Sequence, residues 1–521
     1  MRLGIPPPLS GHFRNIWRDS NGAWIRSEIW ACLYPGVPSL AAKYAFEDAC
    51  VDHGIAEGTY GEVFLAVLES CAFVERDKEK LIEIALSYIP PDCGVAKSVK
   101  VARDCWRRGL DWRTAREKVV EASRKTGWFM APQNIGFVVI GLLYGGGDFG
   151  RAICTAVNCG DDSDCTGATV GSIMGILYGT KGIHRMWREP ISEELANVAI
   201  GGFKPPSNIK ELTDRVVKMA KVALRYHNAP VDIQPQALTT ADASSRLKLI
   251  DKETITRLWA RTPYQIFYEF PSLNVTLDYN GEPIIEGDKL RDIKLCLSSK
   301  DGRIARLKII CQMEGGISIF PSVSRIEVPG CLRLTLRAKE IKEENISGKI
   351  LLYTPGNKLV AEIPLFFSGK LTVHSDDFAL AKYGVRAESD SELSWEPGCT
   401  AKVNDGIIAG EDDFEGKRWH SALTPHPHWV SLILPEEKIL GRVIIHFADP
   451  QGYPVDFDGE VSLDGKEWQK IFSQRNYGNP RRYECRVEPT PMRYFRLTIY
   501  RSASKVWENA AQISEIELLP K

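Results

Sequence analysis

Three carboxylates lie close together in one short stretch within the first third of the chain. Asp161, Asp162 and Asp164 fall within four positions, directly before an apolar segment. Carboxylates this close repel one another unless a proton or a cation lies between them. Oxygen ligands at this density suit Mg²⁺ or Ca²⁺. The spacing therefore indicates a candidate cation site, although an acidic helix cap over a packed helix explains the same pattern.

Glycines follow this acidic loop at every fourth position, at Gly167, Gly171, Gly175 and Gly179. A four-residue period places them on one face of a helix, where a neighbouring helix can approach closely. The carboxylates would then lie at the N-terminus of that helix, where the helix dipole favours negative charge. The glycine pattern indicates packing and does not by itself decide between a cation site and a cap.

The elements that must position this loop are predicted to be helices. Apolar residues recur at three- and four-residue spacing between residue 40 and about residue 227, which predicts an all-α domain over residues 1–228. The predicted helices cover residues 40–51, 60–73, 78–89, 96–106 and 112–123, and the expected N-caps are Asp77, Asp111 and Ser207. The apolar runs 135–143 and 168–177 are expected to form helices buried on all sides.

The rest of the chain is predicted to be all-β. A linker over residues 229–249 leads to a β-sandwich spacer of immunoglobulin size over residues 250–372, where apolar residues alternate with polar ones. Asn280-Gly281 is a hairpin signal within this spacer. A second β domain is predicted over residues 375–521.

Composition excludes some partners and favours one compartment. The net charge of −1 gives no overall field that would attract nucleic acid or an acidic membrane, and no apolar run reaches the roughly 18 residues of a membrane span. The 13 cysteines form no Cys-x-x-Cys pair, and most are expected to be buried small side chains. We therefore expect no nucleic-acid partner, no transmembrane segment and a cytoplasmic location.

The acidic loop also carries a family resemblance. Gly160-Asp161-Asp162-Ser163-Asp164-Cys165-Thr166-Gly167-Ala168 resembles the C-terminal metal motif of the ADP-ribosyl-glycohydrolase family, G-x-D-x-D-[TSC]-x-G-A. The resemblance implies a Mg²⁺-assisted hydrolase that cleaves a ribosyl glycosidic bond and frees ADP-ribose from a side chain or a small molecule. It implies two Mg²⁺ ions, with Asp162 and Asp164 as catalytic metal ligands. Cys165 stands where the family commonly has Thr or Ser, and a thiol is a poorer ligand for Mg²⁺.

Two further segments resemble parts of this family that contact substrate. The segment from Asn21 to Arg26 is similar to the N-G-[AS]-x-x-R loop, whose backbone amides lie against ADP-ribose. The segment from His53 to Tyr60 is similar to a second signature, in which a His precedes a glycine-containing helix start. The resemblance implies that the substrate-binding residues are Asn21, Gly22, Ala23, Arg26, His53, Gly58 and Tyr60. Arg26 could instead pair with a neighbouring carboxylate, and His53 could be a helix C-cap.

One part of the family pattern has no counterpart in this sequence. The family places a Thr-Asp-Asp metal motif and an acidic catalytic residue upstream, and no Thr-Asp-Asp occurs before Asn21. The resemblance then implies a missing N-terminal segment, an incomplete metal shell and an exposed apolar face on the helical domain. A fragment of an active enzyme, a member without catalysis and completion by a separate polypeptide all remain open. The alternative to a hydrolase is a non-catalytic ADP-ribose-, nucleotide- or carbohydrate-binding protein.

The last β domain resembles a second family. Segments such as Val403-Asn-Asp-Gly-Ile407 and Gln512-Ile-Ser-Glu-Ile-Glu517 occur in the order found in discoidin-like, galactose-binding-like jelly rolls. The resemblance implies carbohydrate binding at loops of one end and a structural Ca²⁺ at the Asn-Asp-Gly turn through Asp405. The candidates for stacking on a sugar are Trp419, His420, His426 and Trp429, and core packing is the other interpretation of both tryptophans.

Overall fold

The computed structural model describes residues 4–123, 127–197, 201–234, 247–339, 341–410, 416–448, 452–503 and 509–520. Most of the predicted linker, residues 235–246, lies outside the described residues. The chain divides into two compact units, Met1–Phe267 and Tyr268–Lys521.

The first unit is helical. Its helices, numbered in chain order, are α1 (Leu9–His12), α2 (Glu28–Leu33), α3 (Pro38–Asp52), α4 (Glu57–Ala72), α5 (Lys78–Ser87), α6 (Gly94–Arg107), α7 (Trp112–Ala122), α8 (Ala131–Tyr144), α9 (Phe149–Asn158), α10 (Ser163–Tyr178), α11 (Arg185–Arg188), α12 (Ile209–Tyr226) and α13 (Lys252–Trp259). Short 3₁₀ turns are Trp24–Arg26 and Thr180–Gly182. The all-α prediction for this region is confirmed.

Capping side chains begin several of these helices. Asp77 accepts hydrogen bonds from the backbone N–H groups of the first turn of α5, and Asp111 does the same for α7. For α12 the N-cap is Asn208, and the predicted Ser207 lies one position too early. The Ser207 side chain instead donates to Glu211, as part of the same helix start.

Two central helices differ in how completely they are covered. Residues 131–143 of α8 are all buried, as its apolar run predicts. Helix α10 leaves Asp164 and Ala168 exposed, so the prediction that it is buried on all sides is wrong. The reason is that Gly167 and Gly171 face α9, whereas Asp164 and Ala168 lie on a different face of the helix. A Cβ at Gly167 would lie 2.9 Å from Val157 Cγ2, whereas a Cβ at Gly175 would meet no described atom within 4 Å.

The helical unit has apolar surface on α12. Its exposed apolar side chains are Ile209, Leu212, Val217, Met219, Val222 and Tyr226. The apolar face predicted where an upstream segment would pack stays a prediction.

Helix α13 belongs to the helical unit, although the sequence assigned residues 250–259 to the β-sandwich spacer. Leu258 is buried in the helical core, and Trp259 Nε1 donates to Tyr88 O at 2.8 Å. The strand pattern begins only at Gln265. A single apolar face was enough to attach this short segment to the helices before it.

The second unit begins with a two-sheet sandwich. Its strands are β1 (Gln265–Glu269), β2 (Leu273–Asp278), β3 (Ile284–Ile285), β4 (Leu290–Ser299), β5 (Arg306–Met313), β6 (Ser318–Phe320), β7 (Val323–Glu327), β8 (Gly330–Arg337), β9 (Asn345–Tyr353) and β10 (Leu359–Gly369). One sheet has the order β1-β2-β4-β8-β6 and the other β3-β10-β9-β5-β7. The predicted β-sandwich is confirmed.

The Asn280-Gly281 turn does not close a hairpin. Both residues have positive φ, as the sequence signal requires. Strand β2 pairs with β4, however, while β3 pairs with β10 of the other sheet. The turn therefore carries the chain from one sheet to the other.

The final domain is a second β structure. Its strands are β11 (Arg386–Ser389), β12 (Trp419–His420), β13 (His428–His446), β14 (Pro454–Ser462), β15 (Gln469–Gln474), β16 (Arg482–Ser502), β17 (Gln512–Ile513) and β18 (Glu515–Leu519). The main sheet has the order β11-β13-β16-β14-β15, with β18 paired to β13, and β12 pairs with β17. Phe495, Leu497 and Ile499 are fully buried, as their alternation predicts. In the described part of the chain, no helix has the length and apolar character of a membrane span.

Candidate functional site

The acidic loop turns sharply into α10. Gly160 and Asp161 both have positive φ, so the chain reverses direction directly before the helix. Asp162 is the N-cap residue of α10, but its side chain makes no capping hydrogen bond. Asp162 is buried and Asp164 is exposed on the first turn. The Asp162 carboxylate therefore does not cap the backbone N–H groups of its own helix.

Asp162, Asp164 and Cys165 form one group that can hold a cation. One ligand atom from each residue lies within 4.8 Å of the other two. Burial, together with a hydrogen bond with Asp162 and the charges of Asp162 and Asp164, raises the pKa of the Cys165 thiol to about 12. A protonated thiol is a weak ligand, so the two carboxylates are the stronger donors. These oxygens fit a hard cation such as Mg²⁺.

Asn21 connects a distant loop to this group. Its Nδ2 donates to Asp162 Oδ2 at 2.5 Å, across 141 positions of sequence. Trp24 Nε1 donates to Asn21 Oδ1 at 2.9 Å, which sets the orientation of the amide. The backbone N–H of Asn21 donates to Phe129 O at 3.1 Å. Asn21 is thus fully buried and holds one oxygen of Asp162 in place.

Two residues at the start of α8 support the acidic loop from the other side. Gln133 donates to the Asp161 carboxylate, and Asn134 Oδ1 accepts from the Asp162 backbone N–H at 3.3 Å. Asn134 Nδ2 also donates to Met130 O at 3.0 Å. The sequence analysis did not identify Gln133 and Asn134 as residues that support the loop. The signal that could have found them is a polar pair opening an otherwise apolar helix.

His53 lies buried between two of the predicted substrate-binding glycines. A Cβ at Gly22 would lie 3.1 Å from His53 Cε1, and a Cβ at Gly58 would lie 2.4 Å from His53 Cδ2. The His53 ring nitrogens lie 2.9 Å from Asp52 Oδ1 and 3.2 Å from Ser20 Oγ. His53 is also the C-cap residue of α3. The ring therefore fixes the Asn-Gly loop against the start of α4.

Arg26 pairs with carboxylates, which is the second of the two roles predicted for it. Its guanidinium donates to Asp48 Oδ2 at 2.6 Å and to Asp52 Oδ1 at 2.8 Å, and its Nη1 donates to Gly22 O at 2.8 Å. Burial opposes ionisation of Asp52, but hydrogen bonds from His53 and Arg26 lower its pKa to about 2. Arg26 thereby anchors the Asn-Gly loop to α3, and contact with a diphosphate stays a prediction.

The remaining predicted substrate-binding residues, Ala23 and Tyr60, do not contact the acidic loop through a described hydrogen bond. Ala23 is fully buried at the start of the 3₁₀ turn. Tyr60 packs edge-on against Trp259 of α13, with ring centroids 5.2 Å apart, and burial raises its pKa to about 12. The structure therefore joins Asn21 directly to the acidic loop and groups Gly22, Arg26, His53 and Gly58 behind it. Tyr60 faces α13.

In the last domain, the buried carboxyl of Glu515 lies near the charges of both Asp405 and Asp377. Asp377 Oδ2 and Glu515 Oε1 have no hydrogen-bond partner among the described residues. Burial, followed by the charges of Asp405 and Asp377, raises the pKa of Glu515 to about 10. Burial raises the pKa of Asp377 to about 7. Asp405 itself accepts hydrogen bonds from Lys402 and from the Ile407 backbone N–H, and in the described structure its carboxylate does not form a close three-residue cluster with Asp377 and Glu515.

The four predicted sugar-stacking residues divide by exposure. Trp419 and His420 are buried, and Trp419 Nε1 donates to Ser391 O at 3.0 Å. Trp419 is a core residue of the domain. His426 and Trp429 are partly exposed, so only these two have ring surface available to a ligand.

Comparison with known proteins gives two family matches. Residues 2–225 match the model of ADP-ribosylglycohydrolase, and residues 385–517 match the model of the F5/8 type C domain. No curated protein matches the chain.

Solved structures resemble the last domain. The chain is similar to CpGH89CBM32-5 from Clostridium perfringens in complex with GalNAc-β-1,3-galactose, at 16% identity over 27% of this chain and 99% of that chain, with a TM-score of 0.24. It is also similar to the family 32 CBM from C. perfringens NanJ in complex with galactose, at 14% identity over 27% and 96%, with a TM-score of 0.23.

Proposed function

We propose that this protein hydrolyses a ribosyl glycosidic bond of an ADP-ribosylated substrate with the assistance of Mg²⁺. The match of residues 2–225 to the ADP-ribosylglycohydrolase model supports this proposal. The observation that supports this most directly is the cluster of ligand atoms of Asp162, Asp164 and Cys165 within 4.8 Å. The buried Asn21 amide holds Asp162 in that cluster.

Asp162 and Asp164 are the residues that would hold Mg²⁺ in this proposal. The bound metal would supply Lewis-acid polarisation and orient ribose hydroxyls and a water. Asn21 Nδ2 donates to Asp162 Oδ2, and the Cys165 thiol also hydrogen-bonds Asp162. Gln133 and Asn134 hold the acidic loop in its reversed conformation. Mg²⁺ requires roughly six oxygens, so water and substrate hydroxyls complete its shell.

The Asn-Gly loop would receive the ADP-ribose. Gly22 packs its Cβ side against the His53 ring, and the lack of a side chain would let a ligand approach its backbone closely. Arg26 and His53 would affect the ligand indirectly, by holding this loop in place, because the side chains of both already bind carboxylates of α3. Their part is to keep the loop rigid while the backbone amides face the diphosphate.

A turnover assay tests this function. The full chain is incubated with O- and N-linked ADP-ribosyl compounds, and free ADP-ribose is measured by chromatography with Mg²⁺ and with EDTA. We expect release that requires Mg²⁺ and falls by at least about 100-fold in Asp162→Asn. Asp104→Asn, an acidic residue of α6 outside the site, is the matched control. Release that persists at the parental rate in EDTA and in Asp162→Asn would contradict the proposal.

A second candidate is binding of ADP-ribose without turnover. It is favoured by one observation. Among the described residues, Asp162, Asp164 and Cys165 are the only group of three or more His, Cys, Asp or Glu residues close enough to hold a metal. Two carboxylates supply few of the ligands that the family's two Mg²⁺ ions would need. Mg²⁺-dependent binding of ADP-ribose with no release from any of the substrates would select this candidate.

The F5/8 type C domain would bind carbohydrate. His426 and Trp429 are the two predicted stacking residues with exposed ring surface, and an aromatic face packs well on a sugar ring. A glycan array of the full chain tests this, with Trp429→Ala as the variant and Trp395→Ala, another exposed tryptophan, as the control. Binding of galactose-type glycans that is lost only in Trp429→Ala would support the proposal. An unchanged pattern of bound glycans in both variants would contradict it.

Ca²⁺ would stabilise the same domain. Asp405 and Glu515 would contribute ligands, because the two carboxyls lie near one another and Glu515 Oε1 lacks a described partner, and water would supply the remaining ligands. We expect Ca²⁺ to raise the melting temperature of the parent but not that of Glu515→Gln. An equal shift in both proteins would contradict this assignment.

A further inference from the structure

Two glutamates of α4, Glu62 and Glu69, lie seven residues apart and therefore on the same side of the helix. Both are fully buried. In the described structure, each has one carboxylate oxygen without a hydrogen-bond partner, Glu62 Oε2 and Glu69 Oε1. A buried carboxylate oxygen left unpaired is costly. Each site therefore calls for a proton or a positive charge beside the free oxygen.

At Glu62 the protein itself supplies the positive charge. Arg26 Nη2 lies 3.9 Å from Glu62 Oε2, the oxygen without a hydrogen bond. Trp30 Nε1 donates to the other oxygen, Glu62 Oε1, at 3.1 Å. The Glu62 site is complete within the chain.

At Glu69 the corresponding position holds no cation of the protein. No lysine or arginine forms an ion pair with Glu69 or with Glu28 in the part of the chain that the structure describes. Ser27 Oγ donates to Glu69 Oε2 at 3.3 Å. After burial, the charge of Glu28 is the largest factor that raises the pKa of Glu69. The charged neighbour of Glu69 is thus a second carboxyl, that of Glu28, whereas the charged neighbour of Glu62 is the Arg26 guanidinium.

Hydroxyl groups surround this pair of carboxyls. Thr169 Oγ1 of α10 donates to Glu28 Oε1 at 3.5 Å, and Ser172 of the same helix also hydrogen-bonds Glu28. Together with Ser27, the neighbouring side chains offer hydroxyl and carboxylate oxygens from α2, α4 and α10. Glu28 and Ser172 are partly exposed, so the group is open to solvent at one side. Hard oxygens in irregular positions suit Ca²⁺, which accepts six to eight ligands with water among them.

We propose that Glu28 and Glu69, with the hydroxyls of Ser27, Thr169 and Ser172, bind a divalent cation of the Ca²⁺ type between α2, α4 and α10. The site is separate from Asp162 and Asp164, because Thr169 and Ser172 lie one to two helical turns further along α10. A cation there ties the helix that carries the acidic loop to the core of the domain.

Equilibrium dialysis of the full chain against Ca²⁺ tests the site. We expect Glu69→Gln to bind one Ca²⁺ per chain fewer than the parent. Glu62→Gln is the matched control, because it makes the same change on the same face of the same helix beside Arg26. It should bind as many ions as the parent. Equal ion counts for the parent and Glu69→Gln would overturn the proposal, as would the loss of one ion in both variants.

A second variant keeps the test decisive if Glu69→Gln does not fold. Ser172→Ala removes one hydroxyl at a partly exposed position and should retain the native circular dichroism spectrum. Because the Ser172 hydroxyl orients Glu28, we expect about tenfold weaker Ca²⁺ binding at this site. Asp164→Ala should leave the affinity of this site unchanged. Parental Ca²⁺ affinity in Ser172→Ala would count against the proposal.

Discussion

Asn21 is the residue through which the Asn-Gly loop and the acidic loop act together. Its amide donates to Asp162 Oδ2, while its carbonyl oxygen is held by Trp24. A residue that orients a metal ligand in this way typically changes metal affinity by 10- to 100-fold when it is removed. The geometry therefore gives Asn21 a positioning role behind Asp162, in addition to the substrate contact that the family resemblance implies.

Removing this amide is expected to weaken Mg²⁺ binding. We predict that Asn21→Ala lowers the Mg²⁺ affinity of the helical domain by about 10-fold or more, measured by calorimetric titration of Mg²⁺ into the full chain. Asn158→Ala is the control, because the Asn158 side chain lies near the acidic loop in sequence but donates only to Cys154 O. Parental affinity in Asn21→Ala would show that Asp162 is held by other means.

Glu62 should make stability depend on pH. Burial, then the charge of Asp48, raises the pKa of Glu62 from 4.5 to about 10. A carboxyl whose folded pKa is raised contributes its stability below pH 4.5 and loses it as pH rises toward 10. Glu62→Gln lacks this carboxyl and should not lose stability in the same way. We predict that its free energy of unfolding, relative to that of the parent, increases by on the order of 1–3 kcal/mol from about pH 5 to pH 9. Urea unfolding of both proteins across this range measures it, and parallel pH profiles would contradict it.

At the residue scale, the sequence predicted the ligands but not their supports. Asp162 and Asp164 stand out because three carboxylates within four positions need a physical explanation. Gln133 and Asn134 reach the acidic loop from a helix start 28 positions away. No local sequence pattern predicts these contacts, because they depend on how α8 packs against α10.

At the scale of helices, the site depends on close packing at selected glycines. A Cβ at Gly58 would lie 2.4 Å from the His53 ring and 2.8 Å from Arg18 O, so only glycine fits where α4 begins. At Gly175 in α10 a Cβ would meet no described atom within 4 Å. Two glycines in helices of the same domain thus have opposite constraints.

The contrast gives a matched pair of substitutions. We predict that Gly58→Ala destabilises the helical unit by about 1–3 kcal/mol through overpacking. Gly175→Ala should stabilise it by about 0.5–1 kcal/mol, because alanine is the better helix former where space is free. Urea unfolding followed by far-ultraviolet circular dichroism measures both. Effects of the same sign in the two variants would contradict this account of the packing.

Helices and strands were predictable where the apolar period is long. The alternation through Leu334 and Leu336 and the three- and four-residue spacing through α3 to α7 both correspond to observed elements. Helix α13 was assigned to the wrong domain. Its eight residues have a helical pattern, but a pattern this short does not predict which hydrophobic core the helix packs against. The hairpin expected at Asn280-Gly281 failed for the same reason, since local φ values do not choose the partner strand.

At the scale of the whole molecule, the two units differ in how their cysteines are used. Cys296 and Cys331 are disulfide-bonded and directly opposed in the β4–β8 register. Their pairing could not be read from 13 cysteines without that register. Every other cysteine is free. The cytoplasmic location expected from cysteine usage stays a prediction.

The disulfide should contribute measurably to the second unit. We predict that the double variant Cys296→Ser, Cys331→Ser loses about 2–4 kcal/mol of unfolding free energy under oxidising conditions, because the bond closes a loop in the unfolded chain. Reductant should bring the parent down to the level of the double variant and leave the double variant unchanged. A parent that is insensitive to reductant would mean that the bond does not form in solution.

The central claim is that the acidic loop of α10 holds Mg²⁺ for an ADP-ribosyl ligand. Calorimetric titration of ADP-ribose into the full chain, with Mg²⁺ and then with EDTA, tests it most directly, with Asp164→Ala run in parallel. We predict that ADP-ribose binds in Mg²⁺ and not in EDTA, and that binding by Asp164→Ala no longer responds to Mg²⁺. Binding of equal affinity in Mg²⁺, in EDTA and in Asp164→Ala would contradict it.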